Sequence, residues 1–258
     1  MAKPLSILTK DRADLSQFLV HLTRNGSYEV YTDLGNNRYT WKNSDIIKAD
    51  DSLKRILTNQ PNPSIEARSP LGYFKFKIDT RWKNRGGVSP KWIKCVCFSE
   101  APLLELKHFY KATVRKRNEY KKYGLAFWSH TIRARGGNPI FYVDTKKQHL
   151  MSGLDIMARP SHIIQFAPLM PFMELFGPPL YRSAVDEIDF RWEREWRVPG
   201  NLSFQLKEVA FGICPENQIP EFEKLVSNTF PFIDPDWTVE QLRDHFEKGG
   251  FVQLVEAI

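Results

Sequence analysis

Cysteine is scarce in this chain: Cys95, Cys97 and Cys214 are the only three among 258 residues. A sparse, odd set excludes a disulfide framework. Histidine is equally thin, with six residues scattered from His21 to His245, and no Cys/His spacing suits zinc. No apolar run approaches the roughly 18 residues of a membrane span. The opening Met1-Ala2-Lys3-Pro4-Leu5 lacks the apolar stretch of a secretory signal. These absences predict a cytoplasmic protein with no membrane contact and no metal. Motifs are missing too. Neither Gly-x-Gly-x-x-Gly nor Gly-x-x-x-x-Gly-Lys occurs, and no Gly-x-Ser-x-Gly elbow is present, which argues against a Rossmann domain, a P-loop and a serine hydrolase.

What is present describes a folded core. Hydrophobic residues make up 42% and aromatics 13%, with 18 Phe, 9 Tyr and 7 Trp, well outside the composition of disordered chains. No repeat, low-complexity tract or linker divides the sequence. The simplest organisation is one α+β domain over residues 1–258. Phe18 to Thr23 reads as a strand, and Asp51 to Leu57 as a helix capped by Asp50 or Asp51. Leu71 to Ile78 and Pro90 to Ser99 read as strands, and Ala101 to Tyr123 as a helix with Pro102 in its first turn. Short apolar strands follow at Gly124 to Trp128 and Pro139 to Val143. The Pro-rich stretch from Pro160 to Pro179 reads as irregular or mixed, in the manner of a lid. Glu193 to Val198 and Lys207 to Ile213 read as late strands, with helices at Pro220 to Val226 and Val239 to Glu247.

Charge is the next signal. The net charge is +7, and the basic residues cluster. Lys107 to Lys122 holds seven cations against one acid, Glu119, and Lys75 to Lys94 interleaves cations with Tyr73, Phe74, Phe76, Trp82 and Trp92. Phosphates reward such a field and bases stack on such rings, so Lys111, Arg115, Lys116, Arg117, Arg133 and Arg135 are candidate nucleic-acid contacts. A solvated helix face explains the same residues without any partner.

The densest chemistry lies at Arg191 to Arg197, where two glutamates, three arginines and two tryptophans occupy seven positions. As a strand, this segment places Glu193, Glu195 and Arg197 on one face. Two carboxylates one pleat apart repel, so the pair needs either a use or a partner. The use would be catalysis; the partner would be an arginine. Three further segments carry polar groups at element ends: His21-x-Thr23, Ser99 within Cys97 to Glu100, and Tyr123-Gly124, where glycine permits close backbone approach. Asp189, Glu193 and Glu195 with Lys207 could serve a metal-dependent nuclease.

In order, His21-x-Thr23, Cys97 to Leu103, Tyr123 to Phe127, Asn138 to Val143 and Asp189 to Val198 resemble the AbiGi-type proteins of bacterial phage-defence loci. More distantly they are similar to ADP-ribosyltransferase toxins of the DarT and CmdT groups. The second resemblance implies a split mixed or antiparallel sheet with flanking helices, and NAD as cofactor. On that pattern His21 with Thr23 would hold the NAD ribose, Tyr123 would stack on nicotinamide, and Ser99 would be a further cofactor-binding residue. Glu195 would stabilise the oxocarbenium-like state, and Glu193 would orient the acceptor. The implied function is an NAD-dependent toxin modifying RNA or DNA in abortive infection, silenced by a separate antitoxin protein. The alternative is a basic nucleic-acid-binding or antitoxin-like module without catalysis.

Overall fold

The computed structural model describes residues 16–24, 26–33, 39–68, 94–100, 102–111, 120–159, 161–177 and 191–257. The strand expected over Leu71 to Ile78 and the aromatic-basic stretch up to residue 93 lie outside these residues. In chain order the elements are β1 (Phe18–Arg24), β2 (Gly26–Asp33), β3 (Tyr39–Ile47), α1 (Ala49–Thr58), β4 (Ser64–Ile65), β5 (Cys95–Ser99) and α2 (Leu106–Lys111). Then come β6 (Tyr120–Trp128), α3 (Ser129–Ala134), β7 (Asn138–Pro139), β8 (Phe141–Asp144), α4 (Gln148–Met157), α5 (Ile163–Phe166) and β9 (Met173–Phe176). The last are β10 (Glu195–Pro199), β11 (Leu202–Ser203), β12 (Val209–Ile213), α6 (Ile219–Leu225), β13 (Phe232–Ile233), α7 (Val239–Lys248) and α8 (Val252–Val255). The architecture is α+β with mostly antiparallel pairing. The chain falls into two compact units: Met1–Ser64, Phe98–Ala134 and Ser203–Ile258 in the first, Ile65–Cys97 and Arg135–Leu202 in the second.

The first unit is built on the strand order β13-β12-β6-β1, with Ser99 opposite Val20 beyond it. β1 and β6 run antiparallel from Phe18 opposite Trp128 to Leu22 opposite Gly124. The sequence explains the middle of this sheet. All five residues of β12, Val-Ala-Phe-Gly-Ile, are buried, as an unbroken apolar run between turn signals predicts for a strand covered on both faces. One face carries Phe18, Val20, Ala126 and Phe211 against Leu242 and Phe246 of α7. That helix starts on a capping box. Thr238 Oγ1 accepts from the Gln241 amide at 3.3 Å, and Gln241 Oε1 accepts from the Thr238 amide at 2.9 Å, so two otherwise orphaned donors are satisfied.

Gly124 is required here. A Cβ at this position would sit 2.4 Å from the His21 carbonyl oxygen. The close approach foreseen at Tyr123-Gly124 is therefore backbone against backbone between β6 and β1. Gly124→Ala should force the two strands apart and cost about 1–3 kcal/mol through overpacking, read as a lower urea midpoint with the far-ultraviolet spectrum retained.

The second unit joins β7 to β10 antiparallel, with Trp196 opposite Pro139 and Arg197 opposite Asn138. Beside this pair β8 and β9 run parallel, Phe141 opposite Met173 through Asp144 opposite Phe176. They are connected through α4 and α5, the crossover that parallel strands need. Leu154, Ala158 and Met170 form its small core, with Val143, Met151 and Phe166 packed against them.

Three sequence expectations change. The helix expected over Ala101 to Tyr123 does not run to its expected end: a 3-10 turn at Leu103–Glu105 leads into α2, and Tyr120 already belongs to β6. Pairing of Tyr120 with Arg24 overrides the local helical pattern. Pro139 to Val143 is two strands, β7 and β8, which pair with different partners on either side of Ile140. The stretch after Pro160 is mixed, as read: α5, a 3-10 turn at Met170–Phe172 and β9. The late strand expected from Glu193 begins instead at Glu195.

Candidate functional site

Arg191 to Arg197 breaks in two. Arg191–Glu193 forms a 3-10 turn, and Arg194 has φ +44°, a left-handed conformation that extended chain cannot contain. Glu193 and Glu195 consequently do not share a strand face. Glu195 and Arg197 do, two residues apart on β10, and their side chains meet.

Arg197 is 2% exposed, yet it is a full cation with five N–H donors. Every donor finds an acceptor. Nε gives to Glu195 Oε1 at 2.8 Å, and Nη2 gives to Glu195 Oε2 at 2.9 Å and to Glu174 Oε2 at 2.7 Å. Nη1 gives to the Pro171 carbonyl at 2.9 Å and the Met173 carbonyl at 3.1 Å. Glu195 thus holds the guanidinium as a bidentate fork. β10 is thereby fastened to the 3-10 turn and to the start of β9.

The surroundings set the charges. Burial, the largest single influence, would lower the Arg197 value, but the charge and hydrogen bond of Glu195, with Cys97 and Glu174, together outweigh it and hold the guanidinium well above its ordinary range. Burial pushes the Glu174 carboxyl up, against the pull of Arg197. The Tyr142 hydroxyl accepts from the Glu195 backbone N–H at 3.2 Å. Burial, ahead of the nearby charges, pushes Tyr142 up to about 12. Cys97 is held well above the usual thiol value by its hydrogen bond to Cys95, by burial and by the charge of Glu195. The two sulfurs stand 3.9 Å apart. A thiol so disfavoured as thiolate is a poor nucleophile.

The residues expected to grip NAD lie in the first unit. His21 is half-buried, its ring centroid 5.8 Å from that of Phe98. Thr23 is buried, its hydroxyl 2.9 Å from the Ala49 carbonyl and 3.1 Å from that of Tyr123. That hydroxyl ties α1 and β6 to β1. Ser99 is buried opposite Val20. Tyr123 lies 6.1 Å from Phe222, centroid to centroid, and burial raises its hydroxyl. Thr23 and Tyr123 are brought together; Glu193 and Glu195 belong to the second unit.

Among the nucleic-acid candidates, Arg133 and Arg135 are exposed at the end of α3. Lys111 ends α2, while Arg115, Lys116 and Arg117 lie outside the described residues. Among the described residues no group of three or more His, Cys, Asp or Glu could hold a metal ion. Asp189 of the nuclease alternative also lies outside them. No described helix is long and apolar enough to cross a membrane.

Glu174 and Tyr142 escaped the sequence reading. Glu174 did leave a signal: it is the lone charge in Met170-Pro171-Phe172-Met173-Glu174-Leu175-Phe176, and a carboxylate inside an apolar run calls for a buried cation. Tyr142 left none, since its role depends on β8 lying near β10.

No curated protein and no solved structure matches the chain. Residues 71–228 match a family described as "Putative abortive phage resistance protein AbiGi, antitoxin". That span covers more than half of the sequence and includes the whole of the Arg197 cluster. The chain belongs to the AbiGi family, whose role is in abortive infection against phage.

Proposed function

We propose that the chain is the antitoxin of an abortive-infection pair, a non-catalytic module that silences a toxin by direct protein contact. The state of Glu195 carries this reading. An oxocarbenium-stabilising carboxylate must present its charge to the substrate in a water-excluded site. Both oxygens of Glu195 are instead committed to a buried guanidinium, and Glu174 completes the cluster. Such a cluster holds a fold together. The family description, which ends in the word antitoxin, supports the same side.

The competing proposal is the NAD-dependent ADP-ribosyltransferase toxin that modifies RNA, with Glu195 as its catalytic carboxylate. It requires Arg197 to release Glu195. One experiment separates the two. Purified chain is incubated with labelled NAD and total RNA, DNA and protein, and the same chain is expressed alone in cells. The antitoxin reading expects no labelled fraction, an intact nicotinamide bond and unchanged growth. Label entering RNA, together with growth arrest that disappears in Glu195→Gln, would establish the transferase and overturn the antitoxin.

A further inference from the structure

The first unit holds a cavity of about 360 Å³. It opens between Trp128 at the end of β6, Thr229 and Phe230 before β13, and Gly250, Phe251 and Gln253 around the start of α8. Thr229 and Gln253 are exposed, so the space communicates with solvent. Its walls are fixed by the core behind them. Trp128 stands opposite Phe18 in the β6–β1 ladder and rests its ring on that of Phe18, the centroids 4.9 Å apart. The Gly212 amide donates to the Pro231 carbonyl at 2.8 Å, which anchors the Phe230 segment to β12. The Phe251 amide donates to the Phe246 carbonyl at 2.9 Å, which anchors the opposite wall to α7. Between α7 and α8, Gly250 turns the chain at φ +74°, and a Cβ there would meet nothing within 4 Å. A pocket with walls held in this way is formed before any ligand arrives.

The lining says what kind of ligand. The volume lies at the small end of the roughly 300–1,000 Å³ typical of small-molecule sites, which suits one ring system. Among the described lining residues none carries a charge, so the enclosed part of the ligand is neutral. A phosphate backbone would find no cation there. Three aromatic side chains, Trp128, Phe230 and Phe251, favour a flat ring. Two polar side chains give that ring an edge to match. The Thr229 hydroxyl donates to the Val226 carbonyl at 2.6 Å, which leaves its oxygen as an acceptor. Gln253 brings an amide, which accepts and donates side by side. Adenine answers both. Its amino group carries two hydrogens, the neighbouring ring nitrogen accepts, and a glutamine amide pairs bidentately with that edge.

We infer that this cavity binds the adenine ring of a free nucleoside, with Gln253 and Thr229 recognising its amino edge and the aromatic side chains enclosing the ring. The site goes beyond the antitoxin reading and does not depend on it. Calorimetric titration of the full chain with adenosine tests it, with inosine, indole and a single-stranded oligo-adenylate as parallel probes. Adenosine should bind about tenfold more tightly than inosine, whose carbonyl replaces the amino donor and meets the Thr229 oxygen. Indole is flat but lacks the edge, and should also bind more weakly than adenosine. Gln253→Leu should weaken adenosine about tenfold and leave indole unchanged. Gln253 is exposed, so this change spares the core. Trp128→Leu should weaken both probes, and a thermal melt of that variant separates a lost wall from a lost fold. Leu150→Ala, at an exposed position of the second unit, should change neither. Four results would each overturn the assignment. They are no heat with adenosine, inosine or indole binding as tightly as adenosine, Gln253→Leu without effect, and oligo-adenylate binding more tightly than adenosine, which would move the ring into nucleic acid.

Discussion

Arg197→Met is expected to cost the fold about 3–5 kcal/mol, because it strands two buried carboxylates without their cation. The melting midpoint should fall by on the order of 10 °C, taking the usual entropy of unfolding for a chain of this size. Arg197→Lys should recover only part of the loss, since an ammonium cannot span Glu195 as a fork while reaching Glu174 and two carbonyls. A triple variant, Arg197→Met with Glu195→Gln and Glu174→Gln, should be more stable than Arg197→Met alone. Its charges are gone, and charge rather than shape made the single change costly. Equal stability of the single and triple variants would show that the carboxylates are not what penalises removal of the arginine.

The pH dependence has a definite sign. Burial already raises Glu174 in the native protein, and removing Arg197 takes away the pull that opposes it. A carboxyl whose folded value lies above its unfolded value of about 4.3 favours the fold when protonated. That contribution is complete below the unfolded value and is lost as pH rises through the folded one. The gap between wild type and Arg197→Met should therefore narrow as pH falls from 7 toward about 5. Urea midpoints across that window measure it. A gap that widens on acidification contradicts the assignment of cause.

Phe211→Ala should do comparable damage to the first unit, at about 3–5 kcal/mol. Phe211 is fully buried, with its ring centroid 5.0 Å from that of Phe18 in an edge-on arrangement and 6.4 Å from that of Phe246. It joins the sheet to α7, so truncation removes both transfer energy and packing, and leaves a cavity between two layers. Val252, 64% exposed on α8, supplies the contrast. Val252→Ala should stay within about 0.5 kcal/mol of wild type. Denaturation followed by tryptophan fluorescence reads both, and a loss below about 1 kcal/mol in Phe211→Ala would mean that the sheet closes over the void.

What could be read from the residues depended on how local the deciding contact was. β1, β12, α6 and α7 were legible because an apolar run or a helical period, with its cap, is a property of neighbouring residues. Tyr120 to Tyr123 followed the helical period of the preceding residues, but strand pairing a hundred residues away claimed them. At Arg191 to Arg197 the alternation correctly put Glu195 and Arg197 together. It also put Glu193 with them, and a single left-handed residue, Arg194, separated the pair. Whether Glu195 served a substrate or an arginine turned on Pro171, Met173 and Glu174, which supply three of the five acceptors. Those residues stand more than twenty positions upstream in a stretch that reads as irregular or mixed, so no local pattern could choose between the two.

Pro139 in β7 has a consequence for crowding. The Ile140 amide donates to the Glu195 carbonyl at 3.1 Å, so alternation turns the nitrogen of Pro139 away from β10. Among the described residues β7 has no strand on its other side; a sheet rim is where identical molecules stick to one another, and the usual remedy is a residue that offers no hydrogen there. With proline at that position, a second molecule's strand finds no donor at residue 139 and cannot extend the ladder. Pro139→Val would restore the donor and make the protein prone to polymerise at high concentration.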